Sequence, residues 1–361
     1  MSPKKTSDDI SADPFQEHGS RLSPGRIRLL GCDFEFETDG PELRQIVDWA
    51  YAGLPRHKLA STVPRLKIRL ARAPRDSGGS GARRKGARSE IPRIEMLSGA
   101  DFLGATTSAS DFVVLSPARG TGLIVVSPRL LRSAYHVRYE LLEFAVFTLA
   151  TRVQGLIGLH AACVGRGGRG LLLMGDSGAG KSTAALHCLL RGLEFLAEDS
   201  VFVAPDSLLA TGIANFAHVR RDSLRFVPRE AQALIRRSPV IKRRSGVEKF
   251  EIDLRRPEFR PAPRPLEIAA CVFMTAERVI GAAPLAAPLR RGELLERLQA
   301  AQPYAAHQPG WKRFRQRITG IPAFELRRGG HPEQTVGELE KILVATGKHG
   351  PTIHGNERSY E

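Results

Sequence analysis

The stretch GDSGAGKS, residues 175–182, decides how the rest of the chain is interpreted. It matches the full pattern GxxxxGK[ST] and stands between an apolar run, GLLLMG (170–175), and a helical run, KSTAALHCLLRG (181–192). Glycines let the backbone curl until successive N–H groups face a phosphate, and the N-terminus of the following helix attracts anions. We therefore predict a nucleotide-binding phosphate loop between a buried strand and a helix.

Each residue of this loop has an expected task. Lys181 is expected to reach the β- and γ-phosphates as a point charge, and the Ser182 hydroxyl to ligate Mg²⁺. We therefore predict ATP and Mg²⁺ as cofactors. The predicted nucleotide-binding residues are Gly175, Asp176, Ser177, Gly178, Ala179, Gly180, Lys181, Ser182 and Thr183.

A histidine and two carboxylates flank this loop in the sequence. His160 stands in the apolar run GLHAACV (158–164), and Glu198 and Asp199 end the run FLAED. In a doubly wound sheet the strand ends gather around the nucleotide. One carboxylate there can hold Mg²⁺, and a second, paired with a histidine, can accept a proton from an attacking hydroxyl. The ordinary alternatives are a packed core histidine and a solvated acidic turn.

These motifs together resemble the kinase domain of the HPr kinase/phosphorylase family. The resemblance rests on LHA (159–161), RGGRG (166–170), GDSGAGKST, and the acidic pair after FLA, with the same spacing as in that family. It is strong over residues 155–205 and extends weakly to about 345, where IPAFELRRG is similar to a late strand of related kinases. It implies a phosphoenolpyruvate-carboxykinase-like type of P-loop fold and ATP-dependent phosphorylation of a hydroxyl, serine in the best-known members.

The resemblance also assigns roles to single residues. His160 matches the histidine that assists the catalytic acid, Glu198 stands where the family has its catalytic aspartate, and Asp199 matches the metal-associated aspartate. The expected catalytic residues are thus Glu198, His160 and Lys181, and the expected metal ligands are Ser182 and Asp199. The family's ExRG-type signature is not visible, so we expect no phosphorylase activity and do not carry over HPr as the substrate.

The organisation predicted along the chain is a disordered arm (1–25), a small α+β domain (26–150), an HPr-kinase-like P-loop domain (151–346) and a loose tail (347–361). The fold class is therefore α/β. We predict one strand over 158–164, one helix over Tyr135–Val153, and a flexible basic loop over 76–90.

The composition restricts the compartment and the partners. The 361 residues carry 54 Lys and Arg against 38 Asp and Glu, a formal net charge of +16, and four widely separated cysteines. Without a signal peptide or a long apolar stretch, we expect a cytoplasmic protein with no membrane span. The basic excess lacks the aromatic interleaving of RNA-binding motifs, so we expect no specific nucleic-acid partner. A homo-oligomer remains open.

Three functions compete for this sequence. The first is a kinase that phosphorylates a hydroxyl, typically of serine, on a peptide, protein or small-molecule acceptor. In it the Arg-dense segment 219–264, Arg243 and Arg244 above all, binds phosphate or an acidic acceptor; the alternative for that segment is a solvated basic face. The second is an ATPase or nucleotide-gated binding module acting on an anionic partner. The third is a decarboxylating carboxykinase, for which we find no second metal pair and no oxaloacetate arginine.

Overall fold

The computed structural model describes residues 22–73, 94–279 and 283–347. In this part the chain is a mixed α/β protein with three sheets. The arm, the basic loop and the tail predicted from the sequence lie mostly outside the described residues.

The strands of the first half of the chain are β1 (Leu22–Leu29), β2 (Cys32–Asp39), β3 (Arg65–Arg72), β4 (Glu95–Gly99), β5 (Phe102–Ser108), β6 (Asp111–Ser116), β7 (Thr121–Val126), β8 (Ile157–His160), β9 (Ala162–Arg166) and β10 (Arg169–Met174). Those of the second half are β11 (Glu194–Ala197), β12 (Ser200–Val203), β13 (Leu209–Gly212), β14 (Phe216–Val219), β15 (Val240–Lys242), β16 (Glu248–Asp253), β17 (Leu266–Arg278), β18 (Ala286–Pro288) and β19 (Ala323–Arg328).

The α-helices are α1 (Pro41–Tyr51), α2 (Pro128–Leu131), α3 (Ala134–His136), α4 (Glu143–Gln154), α5 (Lys181–Leu190), α6 (Arg229–Arg236), α7 (Arg291–Ala301), α8 (Trp311–Ile318) and α9 (Pro332–Gly347). A π-helical segment covers Val137–Leu142, and short 3₁₀ turns cover Pro117–Arg119, Arg221–Phe226 and Ala305–His307.

The first sheet has the order β1-β2-β3-β7-β6-β5-β4, and α1, the π-helical segment and α4 cover one of its faces. Ordered structure was predicted to begin at residue 26, but β1 begins at Leu22 and pairs with β2 as far as Asp39. The strand thus begins four residues earlier than predicted, and as an edge strand it is a position where proline is tolerated.

The predicted single helix over Tyr135–Val153 is interrupted by the π-helical segment. In this wider turn Arg138 and Glu140 are both buried, and each has an ion-pair partner. Such insertions are frequent at functional sites. Apolar spacing alone does not show an interruption of this kind, because the stripe continues on both sides of it.

The second sheet lies between two layers of helices. Its order is β11-β9-β10-β17-β13-β12-β8, with β19 beside β17 and β18 beside β19. Along β10, Leu171 and Leu173 pack into the core shared with α5 and α9, whereas Leu172 and Met174 pack into the core shared with α7 and α8. A strand buried on both faces reads as a continuous apolar run, which is the pattern of GLLLMG.

The run GLHAACV was predicted as one strand, but it forms two. The chain leaves β8 after His160, and β9 begins at Ala162. β8 pairs with β12, whereas β9 lies between β10 and β11. The prediction failed because an apolar run does not reveal which neighbouring strand each half pairs with.

The third sheet, in the order β14-β16-β15, has one apolar face and one polar face. Val219, Phe250 and Ile252 pack into the core with α5. The alternation of side chains in a strand places His218 and Glu251, which lie opposite each other, on the other face. This polar face borders the cavity in front of the glycine loop, which His218 lines.

A buried arginine joins the first sheet's helices to this third sheet. The side chain of Arg138 is only 1% exposed; it donates to Glu143 Oε1 at 3.0 Å and also bonds Glu251. Its guanidinium carbon lies 4.5 Å from the ring centroid of Trp49 and 4.3 Å from that of Phe216. The cation–π attraction of these two rings stabilises the guanidinium in addition to the ion pairs.

Two further properties concern the cysteines and the helices of the described ranges. The four cysteines are all buried and none forms a disulfide. None of the helices within these ranges combines the length and hydropathy that a membrane crossing requires.

Replacing Arg138 by methionine tests the importance of this buried cation. The substitution keeps most of the apolar stem but leaves Glu143 and Glu251 buried without their guanidinium, which costs about 3–5 kcal/mol of unfolding free energy. Urea unfolding measures this loss. The exposed Arg132, changed to methionine in the same helical region, is the control and is expected to shift stability by no more than about 0.5 kcal/mol. Equal effects in the two variants would contradict the prediction.

Candidate functional site

The loop at residues 175–182 connects β10 to α5 through three glycines in left-handed or related conformations. Gly175, Gly178 and Gly180 have φ angles of 133°, 85° and 103°. A Cβ atom at residue 175 would lie 2.2 Å from the carbonyl oxygen of Met274, so the close approach to β17 requires glycine there. The loop therefore curls at the carboxyl end of β10, immediately before the first turn of α5, whose N–H groups lack intrahelical partners.

Two cations hold the carbonyl groups of this loop. Lys181 is 7% exposed, and its Nζ donates to the carbonyl oxygens of Gly175 at 2.6 Å and Asp176 at 3.2 Å. Arg328, at the end of β19, donates to the carbonyl oxygen of Gly178 at 2.7 Å. Burial lowers the pKa of Lys181, although the charges of Asp199 and Asp176 oppose that shift. An anion entering the loop would restore the stability of the ammonium form.

A cavity of about 540 Å³ opens in front of the loop. This volume lies within the usual range of ligand pockets. Residues 176–183 line it together with His160, Glu198 and Asp199, so the structure brings the sequence-predicted site residues into one cavity, while Gly175 supports the loop from behind. Eight lysines and arginines line the cavity against four aspartates and glutamates, so its net charge suits a polyanion.

His160 lies beside Asp199. β8 and β12 are antiparallel with His160 opposite Ser200, which brings the end of β8 next to the acidic pair. The distance from His160 Nδ1 to Asp199 Oδ1 is 2.9 Å, and both side chains are about half exposed to the cavity. The hydrogen bond with Asp199 raises the pKa of His160 above its ordinary value, although burial acts in the opposite direction. Burial alone would raise the pKa of Asp199, but the hydrogen bond and the charge of His160 lower it.

The backbone of His160 is held by a glutamine that was not predicted from the sequence. Gln302, which is 3% exposed at the end of α7, donates to the carbonyl oxygen of His160 at 3.0 Å and accepts from its N–H at 2.8 Å. Gln308 makes the same double contact with Gly158. These amide groups take the place of a neighbouring strand along the open edge of β8.

Glu198 has a different partner, His218 of β14. Glu198 Oε2 accepts from the backbone N–H of His218 at 2.8 Å and lies 3.4 Å from its Nδ1. His218 Nε2 lies 3.2 Å from Glu251 Oε1, which also bonds Arg138. The side chains of Glu198 and His218 are 8% and 9% exposed. A chain of buried charges therefore runs from Arg138 to the edge of the cavity.

Histidine contacts set the ionisation of this chain. Burial alone would raise the pKa of Glu198, but the hydrogen bonds and the charge of His218 lower it below its ordinary value of 4.5. Burial alone would lower the pKa of His218, but Glu198 and Glu251 raise it above its ordinary value of 6.5. Between these two ordinary values the pair consists of a carboxylate and an imidazolium, and it loses this form as the pH rises through the raised pKa of His218.

The sequence-based hypothesis paired His160 with Glu198, and this pairing is wrong. The carboxylate nearest His160 is Asp199, because the register of β8 and β12 aligns these two positions. The solvated-turn alternative fits only Asp199, since Glu198 is buried. His218, Glu251 and Arg138 were missed because each pairs with a residue distant in sequence. The one signal in the sequence was a polar residue between apolar neighbours in strands, as in the stretches FAHV (216–219) and FEI (250–252).

Arg243 and Arg244 are separated by the structure. Arg244 bonds the buried carboxylate of Glu140 through both its Nε and Nη2 atoms, so its expected contact with phosphate is not supported. Arg243 lines the cavity, and its guanidinium carbon lies 5.5 Å from the ring centroid of Tyr139. Consecutive residues beyond the end of β15 thus face different partners, which composition cannot reveal.

Oxygen donors that could hold a metal ion line the cavity. In the described part of the chain, no group of three or more histidine, cysteine, aspartate or glutamate side chains is arranged to hold a metal ion. Mg²⁺ needs only one or two carboxylates, because waters and substrate phosphates complete its coordination. Ser182 and Asp199 both line the cavity and fit such a site.

The two carboxylate–histidine pairs can be distinguished by titration. Removing the carboxylate charge withdraws stabilisation from the imidazolium, so Glu198→Gln is expected to lower the pKa of His218 and leave that of His160 nearly unchanged. Asp199→Asn should do the reverse. Imidazole NMR titration of the two variants and the unaltered protein measures both values. If the Glu198→Gln variant lowered the pKa of His160 and not that of His218, the pairing of His160 with Glu198 would be correct after all.

Comparisons with known proteins leave the assignment to the site itself. No protein-family model matches the chain, and no curated protein matches it. The solved structure of the HPr(Ser) kinase/phosphatase from Coxiella burnetii is similar to it with a TM-score of 0.27 and 13% sequence identity, over 53% of this chain and 90% of that chain.

Proposed function

We propose that this protein is an ATP-dependent kinase that transfers the γ-phosphoryl group to a hydroxyl, typically of a serine, on a peptide, protein or small-molecule acceptor. The observation that carries the proposal is the juxtaposition, in one cavity, of the glycine loop with Lys181 and of two histidine-paired carboxylates. A site that only binds a nucleotide would need no more than the loop. A transfer site needs, in addition, a group that accepts a proton from the attacking hydroxyl.

The loop supports triphosphate binding. Its N–H groups, the start of α5 and the ammonium of Lys181 supply the donors that phosphate oxygens require. Lys181 now donates to two carbonyl oxygens of the loop itself, so its ammonium already lies within the curve of the backbone. We assign this loop as a P-loop.

Asp199 and Ser182 are the proposed Mg²⁺ ligands. The Asp199 side chain is 42% exposed and its pKa is lowered, so it is ionised and open to the cavity at neutral pH. A bound Mg²⁺ neutralises charge on the phosphates and helps to orient them. His160 holds Asp199 in place from its other side.

Glu198 is the proposed proton acceptor. Glu198 borders the cavity, and His218 holds its carboxylate by two contacts. These contacts fix the orientation of the carboxylate, which a mobile surface glutamate would lack. The imidazolium of His218 makes Glu198 a weak base. A weak base is adequate for a loose transition state, in which the hydroxyl loses its proton late.

Lys181→Ala tests the loop. The variant removes the cation that would clamp the transferred phosphoryl group, and contacts of this kind are worth about 10³–10⁵ in rate. The measurement is transfer from γ-labelled ATP, with Lys341→Ala on the surface of α9 as the matched control at full activity. A folded Lys181→Ala protein that keeps more than a tenth of the rate would exclude the proposed role of this loop.

Glu198 and Asp199 are expected to fail in different ways. Glu198→Gln should lower kcat by about 10²–10⁴ while ATP affinity stays nearly constant, because a general base acts only in the chemical step. Asp199→Asn should weaken Mg²⁺-dependent ATP binding. Glu198→Asp, which restores the residue of the family resembled, should keep part of the rate.

Initial rates and nucleotide affinities of these three variants separate the two roles. If Glu198→Gln turned over like the unaltered protein while Asp199→Asn lost kcat alone, the proton acceptor would be Asp199 with His160.

A further inference from the structure

A second group of cations lines the cavity on the side of the third sheet. It comprises Arg243, Lys249 and Arg220, all contributed by or adjoining the third sheet. Ile241 lies opposite Lys249 in the antiparallel pair, and the N–H of Arg243 donates to Val247 at 3.0 Å in the turn that follows. The alternation of side chains therefore places Arg243 and Lys249 on the same face, as diagonal neighbours.

Arg220 Nε lies 3.4 Å from Asp222 Oδ1, whereas no ion pair within the described residues involves Arg243 or Lys249. Arg243 Nε is buried, and it has no hydrogen-bond partner within the described residues. The nearby carboxylates are already engaged, since Glu198 bonds His218 and Asp199 bonds His160. Burial, and then the charge of Arg243, lower the pKa of Lys249. Two neighbouring cations with an unsatisfied donor cost free energy that a bound anion would offset.

The loop has cations of its own. Lys181 and Arg328 contact the carbonyl groups of residues 175, 176 and 178, whereas Arg243 lies over Tyr139, a residue of the π-helical segment. The charge of Asp199 acts on both Lys181 and Arg243, so the acidic pair lies in the field of both groups. A phosphate donor in the loop would thus leave Arg243 and Lys249 for a second anionic ligand.

We infer that Arg243 and Lys249 form an anion subsite for the phosphoryl acceptor, so that the acceptor carries a carboxylate or a phosphate close to its reacting hydroxyl. This inference rests on the proposed kinase function and narrows its substrate class. The third sheet would then bind the acceptor as well as support His218. Arg243, in the turn after β15, would bind the acceptor's anionic group.

The experiment uses the full chain saturated with Mg²⁺ and β,γ-imido-ATP, a non-transferable analogue that fills the loop. Inorganic phosphate is titrated in one arm and acetate in the other, at constant ionic strength set with chloride, and isothermal calorimetry follows binding. We expect saturable binding at one site in at least one arm. Arg243→Gln and Lys249→Gln should each weaken it by at least tenfold.

Lys242→Gln is the matched control. Lys242 carries the same charge and directly precedes Arg243, but it is exposed and does not line the cavity, so this variant should bind the anion like the unaltered protein. Saturation by phosphate alone would identify a phosphorylated acceptor, and saturation by acetate alone would identify a carboxylate. Thermal melting checks the fold of each variant, and Lys249→Gln carries the test if Arg243→Gln does not fold.

Four results would overturn the inference. The first is that neither anion binds. The second is that Lys242→Gln loses as much affinity as Arg243→Gln, which would indicate a general surface charge effect. The third is that Arg243→Gln weakens β,γ-imido-ATP binding by the same factor as anion binding; this would assign the cations to the nucleotide and leave the kinase proposal intact. If β,γ-imido-ATP itself did not bind, the kinase proposal would fail and the inference with it.

Discussion

The guanidinium of Arg138, buried between Glu143 and Glu251, determines how the parts of this protein are held together. A charge removed from water in this way needs its counter-charges, because the loss of either carboxylate leaves an uncompensated ion in a medium of low dielectric. The pairing involves a helix on the first sheet and a strand of the third sheet. From Glu251 the contacts continue through His218 to Glu198 at the cavity. The position of one acidic side chain at the site thus depends on contacts distant in sequence.

The two adjacent acidic residues have different surroundings for a simple geometric reason. Glu198 follows the end of β11 and turns inwards against His218, whereas Asp199 directly precedes β12 and contacts His160 at the end of the neighbouring β8. One carboxylate is buried and rigidly held, and the other is half exposed. Such a division suits a site in which one group exchanges a proton with the acceptor and the other holds a metal ion in contact with water.

The local sequence was sufficient to predict the loop and its flanking elements. The strand β10, the glycine turn and the helix α5 were all predicted at or near their observed bounds, since apolar runs and glycine spacing are local signals. The register between β8 and β12 was not predicted, and it decides which carboxylate meets His160. Nor were Gln302, His218 and Arg138 identified, because their partners are about 20 to 140 residues away. The π-helical insertion left no sign in the apolar pattern.

The net charge of +16 has a local counterpart in the cavity, where cations outnumber carboxylates. The proposed kinase would transfer the γ-phosphoryl group of ATP, bound in this cavity, to a hydroxyl. The most direct measurement incubates the protein with γ-labelled ATP and a lysate of the cell that makes it, and then tests the chemical stability of the labelled product. The account predicts label in an acceptor as a phosphate ester, stable in acid and, for serine, released by alkali. Label recovered only as inorganic phosphate, whether or not lysate is present, would contradict the account.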